Sequence, residues 1–356
     1  MSEHHNPSFC RLTGATTGAL STTAIWDVGA ADVLEACFRP KGKTKPSQME
    51  LTDVLFGQLI DPEEPEDIGE DVVVARMGCH EYVIHGHGGS AATARTDRIL
   101  SNLGARQSDV TAWRTYKNVS PEKQKILNLL QQAPTYRTAM ILLDQYNGAA
   151  SRTQERIAEL RLNGEESQVL ALETQFRQTR TIAEHLISGW RVVFIGKPNV
   201  GKSSLLNAIL GCKRAIVNSQ QGTTRDLVQA QKAIDGWLFE FIDAAGIRET
   251  ADELEREGVN RAKAAIEKTD LVLRLFDDSD SMADISATRS NEQFRNKVPT
   301  LDVINKCDLS ACPPTDNSVY RISAVTGEGI EELLAGIVNT LIPNPPQPGD
   351  GIDFGV

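Results

Sequence analysis

No apolar run in the 356 residues approaches the roughly 20 that a helix needs to cross a bilayer, so no helical membrane span is expected. The opening MSEHHNPSFCRL has no charged stretch followed by an apolar one. No secretory leader is expected, and the sequence reads as cytoplasmic. Cysteine is scarce: Cys10, Cys37, Cys79, Cys212, Cys307 and Cys312 are scattered and form no C-x-x-C pair. That argues against a disulfide frame or a zinc site and for reduced thiols. Positive charge is in deficit. The net charge of −11 argues against broad, charge-driven coating of nucleic acid and leaves at most a local basic surface for RNA. There is no internal repeat.

What is present suggests several domains, α+β, then helical, then α/β. Residues 1–115 mix short apolar runs with turn residues. Residues 49–60 and 72–77 read as strands and 91–103 as a helix, with a solvated acidic loop at 61–71 carrying Pro62 and Pro65. A small α+β domain is expected. Ser120-Pro121-Glu122 is a helix start, with Ser as N-cap and Pro at the first helical position. Apolar residues then recur at helical spacing, and Pro134, Asn147-Gly148 and Asn163-Gly164 divide the helices of a region at 116–188. From 189 to 342 strands at 190–195, 237–242, 271–276, 300–304 and 319–322 alternate with helices, which implies a mostly parallel sheet. Residues 343–356 hold four prolines and three glycines and are expected to be a disordered tail.

The sequence from Gly196 to Ser203, GKPNVGKS, fits G-x-x-x-x-G-K-S/T between an apolar strand and a helical pattern. Backbone amides of such a loop wrap phosphate oxygens, Lys202 reaches the terminal phosphates and Ser203 can ligate Mg²⁺. The nucleotide-binding stretch is thus Asn199, Val200, Gly201, Lys202, Ser203 and Ser204. Four further elements follow in order. Gly222, Thr223 and Thr224 lie in a polar loop where a hydroxyl can complete the Mg²⁺ shell. Asp243 and Gly246 follow a strand end, the acid for the metal and the glycine amide for a γ-phosphate. In Asn305-Lys306-Cys307-Asp308 the Asp308 carboxylate can accept from both N1–H and the N2 amino group of guanine, a pair that adenine lacks. Ser323 and Ala324 end the last strand, where amides can meet the guanine carbonyl. Each element is weak alone. Together and in order they describe a protein that binds GTP and GDP.

Hydrolysis needs a placed water and neutralised transition-state charge. Ile247 stands where Ras-like switches have glutamine, so the water must be placed by other means. The charge can come from Arg225, Arg248 or Arg256, or from a monovalent cation near Asn199 with carbonyls of the loop 218–223.

The segments VVFIGKPNVGKSSLLNAILG, RAIVNSQQGTTRD and DAAGIRETADELEREGVNRA resemble the tRNA-modification GTPase family MnmE, also called TrmE. FGQLIDPEEPEDIGEDVVVARM and HGHGG (85–89) resemble its N-terminal domain more diffusely. The resemblance implies a K⁺-stimulated GTPase acting in wobble-uridine modification of tRNA. It also implies a homodimer, a partner modification protein and a folate one-carbon donor. By motif match, Asn199, Asn218, Gln220 and Thr223 fall on the K⁺ site, and Ser203 and Thr224 on the Mg²⁺ ligands. Glu255 falls on the glutamate that orients the attacking water; on its own residues it is a solvated helix-face carboxylate. The catalytic set is Glu255, Asn199 and Thr224. His87 on its own reads as a structural or surface histidine.

The sequence departs from the family in three places. Ala244 stands for a usual threonine. Gly18-Ala19-Leu20 replaces a glycine-arginine-glycine turn, and the loop before HGHGG is short, which weighs against folate. No cysteine follows Cys312, where the family has a Cys-x-Gly-Lys motif, so a divergent or C-terminally shortened member is expected. Two alternatives stay open: a GTP-dependent dimer switch without tRNA chemistry, and a ribosome-assembly GTPase, whose group shares the phosphate-loop and GTTRD patterns.

Overall fold

A computed structural model describes residues 6–14, 18–64, 66, 68–211, 229–243, 269–278, 298–309 and 319–355. The chain divides into two compact units, Met1–Gln124 and Lys125–Val356.

The first unit is built on a seven-stranded sheet. Its strands are β1 (Ser8–Arg11), β2 (Leu20–Trp26), β3 (Phe38–Pro40), β4 (Val54–Leu59), β5 (Glu70–Gly78), β6 (Glu81–His87) and β7 (Arg106–Gln107), in the order β3-β4-β5-β6-β2-β1-β7. All neighbours are antiparallel except β1 and β7. Alternation along the strands sends Val72, Val74, Tyr82 and Ile84 to one face. There they bury with Leu34 of α1 (Ala30–Cys37) and Ile99 and Leu100 of α2 (Ser90–Asn102). On the other face Trp26 packs against Trp113 and Tyr116 of α3 (Val110–Tyr116), whose first turn is capped by the Asp109 carboxylate accepting from the Ala112 amide at 2.8 Å. The α+β expectation holds, with differences in detail. The strand expected over 49–60 is shorter, because Pro46–Gln48 forms a 3₁₀ turn and Thr52 sits at φ 72°. The acidic loop is not wholly solvated: Asp61 is buried and faces Arg98 at 3.5 Å. His87 is exposed, with Nδ1 2.9 Å from Glu70.

The second unit has a six-stranded sheet. Its strands are β8 (Trp190–Gly196), β9 (Gln229–Ile234), β10 (Trp237–Asp243), β11 (Leu271–Asp277), β12 (Thr300–Asn305) and β13 (Val319–Arg321), in the order β13-β12-β11-β8-β10-β9. All pairs are parallel except β9 with β10. The five expected strands are present within about a residue; β9 was not foreseen. Helices α9 (Lys202–Gly211) and α10 (Ile330–Leu341) bury Leu205, Leu206, Ile209, Leu333 and Ile337 against Val192, Phe194, Leu273 and Val303. Phe276 and Ile304 point to the opposite face. Lys232 of β9 is fully buried, and its ammonium donates to the carbonyl of Ile209 in the last turn of α9, where carbonyls lack helical partners.

Five helices precede this sheet: α4 (Pro121–Leu130), α5 (Tyr136–Tyr146), α6 (Ala149–Leu162), α7 (Glu166–Gln178) and α8 (Arg180–His185). The sequence suggested a boundary near residue 188, but Ile126, Ile141, Leu142, Ile182 and Leu186 share one hydrophobic core with the sheet. Only α6 and α7 keep a small cluster of their own, around Ile157, Leu160 and Val169. The two compact units divide inside α4.

The expected disordered tail is likewise corrected. Residues 343–355 form no helix or strand, yet Ile352 is buried in the core. Gln145 of α5 holds the segment like a strand partner. Its Nε2 donates to the Asp350 carbonyl, and its Oε1 accepts from the Ile352 amide, each at 2.9 Å. The Gly349 amide donates to Asp144 and the Asp353 amide to Thr179, also at 2.9 Å. Proline and glycine removed the periodic signal from the sequence, but not the apolar side chain and amides that anchor this stretch.

Candidate nucleotide site

The candidate site lies at the carboxyl ends of β8, β10, β12 and β13. The chain leaving β8 runs through α9 toward β10, while that leaving β11 runs toward β12 on the other side. Such a reversal opens a crevice at the strand ends.

The stretch 196–201 turns sharply because three of its residues take positive φ: Gly196 at 153°, Asn199 at 64° and Gly201 at 92°. A Cβ on Gly196 would lie 2.5 Å from the Leu275 carbonyl, and one on Gly201 would lie 2.2 Å from Nδ2 of Asn305. These two glycines let the loop press against β11 and β12, as the motif requires. Val200 is buried beneath the loop, while Asn199 is exposed at its crest. Lys202 is buried, and its ammonium donates to the carbonyls of Gly196 at 3.0 Å and Lys197 at 2.8 Å, so the cation sits inside the loop. Ser203 and Ser204 are exposed in the first turn of α9. The Ser203 hydroxyl donates to Asp243 Oδ2 at 2.9 Å, which brings the two expected magnesium residues together from separate elements. Asp243 is itself buried at the end of β10. Among the described residues no group of three or more His, Cys, Asp or Glu could hold a metal. A hydroxyl beside one carboxylate suits an ion that takes most of its oxygens from phosphates and water.

At the other end, Asn305 is buried, and both its polar atoms bond within the protein. Nδ2 donates to the Val200 carbonyl at 2.9 Å, and Oδ1 accepts from the Ala324 amide at 3.0 Å. This side chain braces the phosphate loop to the loop after β13. Sequence alone suggested that the amides of Ser323 and Ala324 were open to a guanine carbonyl. The structure differs: the Ser323 amide donates to Glu328 at 3.0 Å and the Ala324 amide to Asn305. The turn 323–328 closes on itself because Ser323 is fully buried and its hydroxyl accepts from the amides of Val325 and Thr326. Lys306 takes φ 68°, and its ammonium donates to Asp277. Asp308 is exposed in the 3₁₀ turn Cys307–Leu309. Burial, and then the charge of Glu328, push the Cys307 thiol up, so it stays protonated between Lys306 and Asp308.

Asn218, Gln220, Gly222, Thr223, Thr224, Gly246 and Glu255 lie outside the described residues, as do Ile247, Arg225, Arg248 and Arg256. The sequence reading missed the carboxylates Asp277 and Asp278 at the end of β11. The latter accepts from Arg321 at 2.6 Å. Two consecutive acids closing an apolar strand were the available signal. Among the described residues no helix is long and apolar enough to cross a membrane.

The family described as 50S ribosome-binding GTPase matches residues 191–306. Curated relatives match nearly the whole chain. A tRNA modification GTPase MnmE of Synechococcus sp. (strain RCC307) is 30% identical, over 91% of this chain and 78% of the relative. The one from Moorella thermoacetica is 31% identical, over 89% and 78%. That of Nitrosomonas europaea reaches 44% identity, over 44% of this chain and 35% of its own. Among solved structures, Era of Aquifex aeolicus bound to GDP·AlF4− is 29% identical over 47% of this chain and 60% of its own, with a TM-score of 0.33.

Proposed function

The chain belongs to the family of the tRNA modification GTPase MnmE and is a GTP hydrolase, and from that premise we propose how its own residues serve the reaction. The observation that carries the reading is the meeting of Ser203 and Asp243 beside the phosphate loop, in a chain whose likeness to the MnmE relatives runs across about nine tenths of its length. The amides of 199–204 hold the phosphates, and the Lys202 ammonium leaves the loop carbonyls to meet the terminal ones. The Asp308 carboxylate accepts from N1–H and the N2 amino group of guanine, and the Asn305 brace keeps that loop in register with the phosphate loop. Thr224 joins Ser203 on the metal side. Glu255 orients the attacking water in place of the glutamine that Ile247 replaces. Asn199, Asn218, Gln220 and Thr223 form a potassium site. When bound, magnesium and potassium neutralise charge on the transferring phosphoryl group, a task that other GTPases give to an arginine.

The biological role is modification of the tRNA wobble uridine, with a second copy of the chain meeting the nucleotide face and a partner modification protein. A folate donor is carried over by resemblance alone, and no residue is assigned to it.

The test has two arms. Replacing NaCl by KCl raises GTP turnover about tenfold or more, the scale of one charge-stabilising contact, and Asn199→Ala removes the gain. Equal rates in the two salts sink the potassium mechanism. Deleting the gene removes the modified wobble nucleoside, read by mass spectrometry, and this chain restores it. An unchanged nucleoside profile sinks the tRNA role and leaves the dimer switch.

A further inference from the structure

The end of β11 carries two consecutive carboxylates, and each holds a cation from a different element. Asp277 is paired in register with Asn305 of β12, and its Oδ2 accepts from the ammonium of Lys306, the next residue along. Asp278 Oδ1 accepts from Arg321 Nη2 at 2.6 Å, with both side chains largely buried. Arg321 ends β13, two residues before Ser323-Ala324, and pairs in register with Ile304. The acids thus reach across β12 to both loops that flank the exposed Asp308.

We propose that Asp277 and Asp278 are positioning residues for guanine recognition: one fixes the Lys306 turn that carries Asp308, the other fixes the Arg321 end of the Ser323-Ala324 loop. The proposal rests on the GTP reading above. Lys306 needs a hold because its left-handed φ of 68° is unfavourable for a residue with a Cβ. Arg321 ends the edge strand β13 with a largely buried guanidinium, and Asp278 supplies the opposite charge there. Charge-assisted bonds set in place before the ligand arrives lower the ordering cost of binding. Pairing each acid with a cation also keeps the base end from adding unbalanced negative charge near an incoming triphosphate, in a chain already at −11.

The experiment uses the full chain and fluorescent guanine nucleotides. Asp277→Asn and Asp278→Asn, near-isosteric and outside the contacting set, each weaken GTP and GDP by the same factor, about five- to tenfold for one partly buried charge-assisted contact. The turnover number at saturating GTP stays within about twofold, so the effect is on KM. Inosine triphosphate lacks the 2-amino group that Asp308 reads, so the preference for GTP over inosine triphosphate falls toward one in Asp277→Asn, whose partner Lys306 lies in the Asp308 turn, and is kept in Asp278→Asn. Combining Arg321→Gln with Asp278→Asn costs less than the sum of the two single changes, as expected for a shared bond. Magnesium pyrophosphate, which uses only the phosphate end, binds all variants alike and shows that they are folded. Affinities within twofold of the parent overturn the proposal. So does an unchanged GTP preference in Asp277→Asn, or an equal loss of pyrophosphate binding. A parent chain that binds no GTP overturns the functional reading itself, which is a different result.

Discussion

His185 ties the end of α8 to the start of the nucleotide sheet, and its protonation should set how firmly. The ring stacks on Trp190 with centroids 4.0 Å apart. Nδ1 lies 2.7 Å from the Thr181 carbonyl and Nε2 lies 3.0 Å from Asp270 Oδ1, while Asp270 Oδ2 accepts from the Arg191 amide at 2.7 Å. Both nitrogens face acceptors, so only the imidazolium satisfies both contacts. Burial alone would lower the pKa. The hydrogen bonds to Asp270 and Thr181, with the charges of Asp270 and Glu184, outweigh it and raise the value above 6.5. A raised folded-state pKa means that the stabilisation is complete below the ordinary histidine range and is lost as pH rises through the folded value. What is lost is one charge-assisted bond, worth about 1.5–3 kcal/mol. Urea midpoints of the parent and of His185→Gln, taken across that window, should therefore differ most at the acid end and converge at alkaline pH. Proton NMR of the ring, assigned by its disappearance in the variant, should show titration above 6.5. A midpoint difference that is flat or grows with pH refutes the reasoning, as does a ring that titrates at or below the ordinary value.

Two further outcomes follow from packing. Gly201→Ala places a methyl 2.2 Å from Asn305 Nδ2 at a backbone φ of 92°. Asn305 cannot swing aside without breaking two bonds, so nucleotide binding should weaken at least tenfold, on the scale of about 1–3 kcal/mol of strain. An unchanged titration with a fluorescent guanine nucleotide would count against this geometry. Ile352→Ala should lower stability by about 2–5 kcal/mol, as for other buried isoleucines. A urea midpoint that does not move would return the segment to the disorder first expected of it.

The parts of the fold legible in sequence were those whose environment is uniform. Strands β8, β10, β11 and β12 are mostly apolar because a parallel sheet buries both faces, and each ends in residues that break the run. β2 escaped notice because Ser21 and Thr23 are buried in it, and β9 because Lys232 is buried in it beside Ile234. In both, hydrogen bonds do work that composition assigns to apolar side chains. At the site, the phosphate loop could be read residue by residue, since its chemistry is local. Asn305 could be named but not understood: its partners, Val200 and Ala324, are distant in sequence, and only the register of β12 between β11 and β13 brings them to it. Gln145 illustrates the same limit, because its partners near residue 350 lie about two hundred positions away.

Asn305 has a consequence for how variants of this protein should be understood. One carboxamide touches the floor of the phosphate loop and the loop that flanks the base, so the two halves of the nucleotide are not read independently. By thermodynamic reciprocity, whatever free energy occupancy of one half contributes to binding at the other is returned in the reverse direction. A lesion of Asn305 itself should therefore show both as lost fidelity toward guanine and as a weaker grip on the phosphates.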